Sequence, residues 1–192
     1  MYAQEIVTTQ GLRISTGFAS QKLLPGASND YRYESKTIAV AYLKQLWKLQ
    51  KWQINLEVAP TINAIQHRLR NAFFINPDDG DFKARRERFL APRKFIEYTL
   101  HLGLRIRYPI VQKTTIIIFG STGPMFGTAQ TERLKKGFAF SNTAGVGISY
   151  DLSNTWSWDV SAAIRHTSNA NLDRPNSGHN SFGFQTGFIY HW

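Results

Sequence analysis

The stretch Phe95-Ile96-Glu97-Tyr98-Thr99-Leu100-His101-Leu102-Gly103-Leu104-Arg105-Ile106-Arg107-Tyr108 shows the most regular alternation of apolar and polar residues in the sequence. All seven even-numbered positions, from Ile96 to Tyr108, are apolar. A period of two places successive side chains on opposite faces of a β-strand. Seven consecutive apolar residues on one face are long for a soluble sandwich, whereas a strand that crosses a membrane needs about 9–11 residues. The stretch therefore favours a strand with one face against hydrocarbon.

The composition of the 192-residue chain limits the classes of protein that need to be considered. The length suits one domain, and we expect a single domain over residues 1–192. The longest apolar run, Ile116 to Phe119, is far shorter than the roughly 18 residues of a membrane helix, so a helical membrane protein is excluded. A transmembrane β-barrel stays open because its strands are only half apolar. The aromatic share of 14%, with five Trp and eight Tyr, favours that class.

The charge of the chain indicates its possible binding partners, and its cysteine content limits disulfides and metal sites. The net charge of +10 favours an anionic partner such as nucleic acid, a phospholipid or a phosphorylated glycolipid. No recognition motif or stacking platform for nucleic acid accompanies the charge, so we expect no nucleic-acid partner. The sequence has no cysteine, which removes disulfides and thiolate metal sites.

The same alternation recurs in seven further segments, predicted as strands over 12–18, 37–47, 52–62, 114–121, 138–150, 155–166 and 181–192. Segment 37–47 also fits a helical stripe, and we interpret it as a strand because its neighbours are strands. Short turns near Leu49, Gln112 and Ser153 alternate with long connections at 21–36, 66–94, 122–136 and around Arg174. This pattern predicts an all-β fold: an eight-stranded antiparallel up-and-down transmembrane β-barrel with short periplasmic turns. A soluble lipocalin-like barrel or sandwich is the alternative.

Two further patterns agree with a membrane barrel. Aromatic residues gather at the short-turn end, as in an interfacial girdle: Trp47, Trp52, Tyr108, Tyr150, Trp156, Tyr190 and Trp192. The chain also ends on Phe188-x-Tyr190-x-Trp192, which resembles the terminal signature of bacterial outer-membrane barrels. Charges of both signs occupy the polar strand faces, so we expect them to pair in a filled interior instead of lining a pore.

A candidate site lies where the seventh predicted strand reaches its long connection. Trp156 to His166 spans eleven residues, so His166 should lie near the outer membrane interface. Even-numbered residues of this strand face outward, and this parity places His166 and Ser168 on the lipid side, with Asn180 beside them on the last strand. A hydroxyl two residues from an imidazole can act as a nucleophile with its base. The alternative is that they are interfacial polar residues in a turn-rich segment.

The motif Arg165-His166-Thr167-Ser168-Asn169-Ala170, followed by Pro175-Asn176-Ser177-Gly178 before the final strand, resembles the outer-membrane lipid A 3-O-deacylases of the PagL type. The resemblance implies a cofactor-free esterase of the bacterial outer membrane that acts on the lipid A part of lipopolysaccharide. Ser168 would attack an acyl ester with His166 as its base. Asn169 and Asn176 would position the site or stabilise the oxyanion.

The sequence departs from the family pattern at one position. The family has a glutamate shortly after the Pro-Asn-x-Gly segment, and that position falls on Asn180 here. An amide can orient the imidazole but supplies no charge to stabilise the imidazolium. Asp173 is the candidate alternative acid if its loop folds back. The departure leaves open a slower hydrolase, a hydrolase with a different third member, or an inactive barrel.

The remaining predictions concern ligands and partners. We expect Arg85, Arg86 and Arg88, in the long basic connection, to contact phosphates of lipopolysaccharide, the alternative being a solvated loop. His179 is expected to be a loop residue, and no metal site is predicted because the spacing of His and Asp residues is not diagnostic. A homodimer is a further candidate assembly. The competing function is a non-enzymatic small barrel, similar to OmpX, that binds a surface partner through its long outer loops. A soluble barrel holding a hydrophobic ligand comes third.

Overall fold

The computed structural model describes residues 9–78 and 80–192. Within them, eight antiparallel strands form one closed barrel in sequence order, and the last strand pairs with the first. The strands are β1 (Gln10–Ser20), β2 (Tyr31–Leu49), β3 (Trp52–Leu69), β4 (Arg93–Val111), β5 (Thr114–Gly127), β6 (Gly137–Asp151), β7 (Trp156–Ser168) and β8 (His179–His191). The predicted eight-stranded up-and-down architecture is confirmed, and segment 37–47 lies inside strand β2. The expected single domain also takes in residues 1–8 and 79, which lie outside the described residues.

The long connection predicted over 66–94 is wrong in part. Strand β3 continues to Leu69, and helix α1 (Phe82–Leu90) lies within the connection. The helix has no regular apolar stripe in its sequence, because Phe82, Phe89 and Leu90 are its only large apolar residues. Phe89 is fully buried in a cluster with residues of β2, β3 and β4, so tertiary packing holds the helix in place.

The strands also run further towards the outer end than the alternation predicted. Strand β2 begins at Tyr31 instead of Thr37, and β5 extends to Gly127 instead of ending at Ser121. Pro124 lies in this added part of β5, on the exposed face. Proline has no backbone N–H to donate to a neighbouring strand, so its presence argued against a strand here. The barrel is therefore longer at its outer end than predicted, and the connections near the candidate site begin and end on these longer strands.

The barrel is apolar outside and polar inside. Large apolar side chains such as Ile38 and Leu102 are 63% and 54% exposed on the outer wall. Most residues of the predicted girdle are exposed at the short-turn end, including Trp47, Trp52, Trp156 and Trp192. None of the helices in the described ranges has the length and apolar character to span a membrane.

Paired charges fill the interior, as the sequence predicted. Asp159 is fully buried and accepts hydrogen bonds from Arg13 Nε at 2.9 Å and Arg105 Nη1 at 3.1 Å. Arg105 Nε also donates to Glu57 at 3.1 Å. Buried charges need partners of this kind, because an unpaired one is strongly destabilising.

A second network lies nearer the outer end and fixes β7 beneath the candidate site. Arg165 Nη2 donates to Glu97 Oε2 at 2.8 Å, and Arg165 Nε donates to Ser141 Oγ at 2.9 Å. The Tyr33 hydroxyl donates to the same Glu97 carboxylate at 2.8 Å. Because Arg165 points inward and is bound on several sides, its neighbour His166 must point outward.

Candidate active site

His166 and Asn180 face each other across β7 and β8. The strand register pairs them directly, and His166 Nδ1 lies 2.6 Å from Asn180 Oδ1. An amide oxygen can only accept, so Nδ1 carries the proton and the Nε2 lone pair is left free. An imidazole held in this tautomer is a base whose accepting nitrogen points away from Asn180. The contact thus fixes the orientation of the imidazole on the outer wall.

Ser168 is the last residue of β7 and lies on the same face as His166. It is half-buried, and the register places it opposite Phe140 of strand β6. Among the residues that the structure describes, no hydrogen bond joins the Ser168 hydroxyl to the imidazole. Catalytic hydrogen bonds are often long without substrate. The two side chains share the outward face at the end of one strand.

The connection after Ser168 is closed by its own asparagines. The Asn169 backbone N–H donates to Asn176 Oδ1 at 2.6 Å, and Asn169 Nδ2 donates to the Asp173 carbonyl at 2.8 Å. Asn176 Nδ2 in turn donates to Asn171 Oδ1 at 2.9 Å. Asn169 is 1% exposed. These bonds hold the loop in shape beside Ser168.

Gly178 brings the end of this loop against the imidazole. Its φ of +65° is unfavourable for other residues, and an added Cβ would lie 2.3 Å from the Thr167 carbonyl oxygen and 3.3 Å from His166 Cε1. Arg133, from the connection between β5 and β6, donates through Nε to the Gly178 carbonyl at 2.7 Å. The Gly178 N–H donates back to the Arg133 carbonyl at 3.1 Å. The sequence analysis missed Arg133, because its contact joins two connections that are distant in the chain.

The comparison with known protein families matches most of the chain, and not the motif alone. The sequence model of the lipid A 3-O-deacylase (PagL) family matches residues 29–188. The chain belongs to this family. The resemblance drawn from the His166–Ser168 motif is thereby confirmed, and membership places the chain in the bacterial outer membrane. No curated protein gives a significant match to the sequence.

Solved structures agree on the fold. The crystal structure of the outer membrane enzyme PagL is 12% identical with a TM-score of 0.61, covering 92% of this chain and 97% of that one. Neisserial surface protein A is 9% identical with a TM-score of 0.51, covering 95% and 96%. At these identities the likeness concerns the barrel alone. The family match and the PagL crystal structure do not support the homodimer that was a candidate assembly.

Among the described residues, the other acidic and imidazole candidates make no hydrogen bond to this pair. The Asp173 carboxylate accepts from the Arg174 N–H at 2.7 Å and lies 3.6 Å from Lys135 Nζ, so each of its oxygens has a partner other than His166. His179 is the first residue of β8 and is buried, so its prediction as a loop residue is wrong; its ring stacks on Tyr33 with ring centroids 4.3 Å apart. In this PagL-family chain, Asn180 is therefore the residue in contact with the imidazole. The described ranges contain no cluster of three or more metal-ligating side chains.

The predicted phosphate contacts lie on helix α1, in the connection between β3 and β4. Arg86 donates to the Ile75 carbonyl at 2.6 Å, and its guanidinium lies 5.0 Å from the Phe82 ring centre. Arg88 is exposed, and Arg85 lies 4.0 Å from Asp81. Arg86 thus has a structural role in fastening the helix, whereas Arg88 presents its charge to the surroundings.

Proposed function

We propose that this chain is an outer-membrane esterase that removes an ester-linked 3-O acyl chain from lipid A, using Ser168 as nucleophile and His166 as base. Membership of the PagL family supports the substrate and the reaction. The observation that carries the mechanism is the 2.6 Å contact between His166 Nδ1 and Asn180 Oδ1, on the outward wall beside Ser168. An outward site at the outer end of the barrel is where ester bonds of outer-leaflet lipids lie.

The reaction proceeds in two steps. His166 Nε2 takes the hydroxyl proton as Ser168 Oγ bonds to the ester carbonyl carbon, and the carbonyl electron pair moves to oxygen. The tetrahedral intermediate collapses, the ester C–O bond breaks, and the imidazolium returns the proton to the departing sugar hydroxyl. Water then attacks the acyl-enzyme with the same base and releases the fatty acid. No cofactor enters either step.

Asn180 sets the rate that this site can reach. Its amide oxygen fixes the tautomer of His166 but supplies no negative charge to the imidazolium that forms in each step. In the serine-protease triad, replacing the aspartate by asparagine lowers kcat by about 10⁴, in part because the tautomer is wrong. In this chain the Oδ1 contact selects the useful tautomer. We therefore propose a working but slow hydrolase.

We also propose that Arg85, Arg86 and Arg88 contribute to binding the phosphates of lipopolysaccharide. Their helix lies in an outer connection, and the chain carries a net charge of +10. Guanidinium groups bind phosphate through paired N–H donors. Exposed Arg88 should contribute most, because Arg86 is already bound to the Ile75 carbonyl.

The test is lipid A deacylation by the folded protein in detergent micelles. Purified lipopolysaccharide is incubated with wild type, Ser168→Ala and His166→Asn, and lipid A is analysed by mass spectrometry. The wild type should lose one hydroxyacyl mass, and neither variant should. Heat-modifiable gel mobility shows that each barrel is folded. An intact lipid A with folded wild type, under conditions where a related deacylase acts, would favour a non-enzymatic barrel that binds a partner through its outer loops.

A further inference from the structure

A second polar pair lies on the outer wall beside the candidate site. Asn142 of β6 is directly opposite His166 in the strand register, on the side away from Asn180. Thr122 of β5 is opposite Asn142, and its hydroxyl donates to Asn142 Oδ1 at 2.6 Å. Both side chains are exposed on the outward face. The imidazole is therefore flanked by an asparagine on each neighbouring strand.

Polar groups on a wall that faces lipid are costly unless they are paired. Two other outward threonines of the barrel are paired by donating their hydroxyl hydrogen to a backbone carbonyl. The Thr16 hydroxyl donates to the Thr37 carbonyl at 3.0 Å, and the Thr186 hydroxyl donates to the Asp159 carbonyl at 2.9 Å. Asn142 differs, because Thr122 occupies its oxygen and, within the described part of the chain, no acceptor is bound to its Nδ2 group. Two N–H donors are thus presented next to His166.

The reaction needs such a donor. The oxyanion of an acyl-transfer intermediate is stabilised by N–H groups aimed at it, and the N–H of the residue after the nucleophile often supplies one. Here the Asn169 N–H is already bound to Asn176 Oδ1 at 2.6 Å. The Asn176 amide is bound to Asn171 at 2.9 Å. The loop therefore uses the Asn169 N–H and one N–H of the Asn176 amide to hold its own shape.

We propose that Asn142 is the side-chain oxyanion donor of this site and that Thr122 is the residue that positions it. The assignment rests on the proposed esterase function. Ser168 lies one diagonal step from Asn142, because the register pairs it with Phe140, two residues away on β6. Diagonal neighbours on one sheet face are about 7–8 Å apart, which leaves room for a carbonyl group between hydroxyl and amide. As Ser168 Oγ bonds to the carbonyl carbon, the oxygen gains charge and Asn142 Nδ2 donates to it.

The experiment measures kcat and KM for lipid A deacylation with Asn142→Ala and Thr122→Val. Loss of one oxyanion donor should lower kcat about 10²-fold and leave KM nearly unchanged, because the contact forms mainly in the transition state. Thr122→Val keeps the shape of the side chain but removes the hydroxyl that orients the amide, so it should lower kcat by a smaller factor. A fluorophosphonate probe, whose phosphoryl oxygen mimics the oxyanion, should label Ser168 more slowly in both variants.

Thr16→Val is the matched control, since it removes an outward hydroxyl of the same barrel that is bound only to backbone. It should keep the wild-type kcat and labelling rate. If Asn142→Ala does not fold, as judged by heat-modifiable mobility, the Thr122→Val result decides. A kcat within threefold of wild type in the folded variants, or a change confined to KM, overturns the assignment. Failure of the wild type to deacylate lipid A would instead overturn the proposed function, so the two failures are distinguishable.

Discussion

Replacing Asn180 by aspartate should make the enzyme faster. The two side chains have nearly the same shape, and position 180 is exposed on the outer wall, so the barrel interior is untouched. The substitution places a carboxylate 2.6 Å from His166 Nδ1, where the structure now has an amide oxygen. In the proposed mechanism, the new charge would stabilise the imidazolium that forms as Ser168 attacks.

The size of the gain follows from the geometry. With the bonded atoms 2.6 Å apart, the two charge centres would lie about 4 Å from each other. Two unit charges at that distance attract by about 4 kcal/mol at an effective dielectric constant of about 20, and by about 1 kcal/mol in water. Because position 180 is exposed, we expect a value near the lower limit, about 1–2 kcal/mol. This corresponds to an increase in kcat of about 5- to 30-fold.

The assay is the rate of loss of the hydroxyacyl mass from lipid A as a function of pH. Asn180→Asp should raise kcat, and the acidic limb of its pH–rate profile should move to higher pH because a carboxylate favours the protonated imidazole. Asn180→Ala should lower kcat about 10²-fold, since the base loses its orientation. The matched control is Asn154→Asp, which adds the same charge in an exposed turn between β6 and β7, at the opposite end of the barrel.

Two outcomes would refute this reasoning. A folded Asn180→Ala with wild-type kcat would mean that the contact with His166 does not orient the base. An Asn180→Asp enzyme no faster than wild type, while Asn154→Asp is also unchanged, would mean that missing charge is not what limits the rate.

Gly178→Ala should lower kcat about 10²-fold while the barrel stays folded, because the added Cβ would lie 2.3 Å from the Thr167 carbonyl and must displace the site loop. The kcat of the heat-modifiable, folded variant checks this. Asp159→Asn should destabilise the barrel by about 3–5 kcal/mol, because Arg13 and Arg105 lose the charge that they share in the interior. Urea unfolding in micelles, followed by tryptophan fluorescence, measures the free energy of unfolding.

Each of these substitutions has a matched control. Gly26→Ala has a similar φ of +69° but nothing within 4 Å of the added Cβ, so it isolates backbone strain from the clash. It should keep full activity, and equal losses in the two glycine variants would contradict the clash argument. Glu34→Gln breaks an exposed ion pair with Arg32 and should cost less than about 1 kcal/mol. An equal cost for Asp159→Asn would mean that the interior network is not needed for stability.

The sequence alone determined the barrel and the direction of the site. In an up-and-down barrel, each strand pairs with its neighbours in the chain, so the period-two pattern of 95–108 and its repeats predicts the number of strands and their order, although not where β2, β3 and β5 begin or end. Parity also put His166, Ser168 and Asn180 on the outer wall, because side chains alternate between the two faces of a strand wherever the register is unbroken, as it is between β7 and β8. The motif around Ser168 indicated the family because it is a short run of consecutive residues that can be recognised without the fold.

Only the tertiary structure decided what surrounds that pair. The contact between Arg133 and Gly178 joins two residues 45 positions apart, and Asn142 lies opposite His166 in a strand register that no local pattern specifies. Helix α1 is held by Phe89 in a cluster with residues of three strands, and its own sequence has no apolar stripe that would predict this packing. Alternation determines the face on which a side chain lies, but loop closure and strand register determine which side chains meet. Those depend on the free energy of the whole barrel and not on neighbours in the chain.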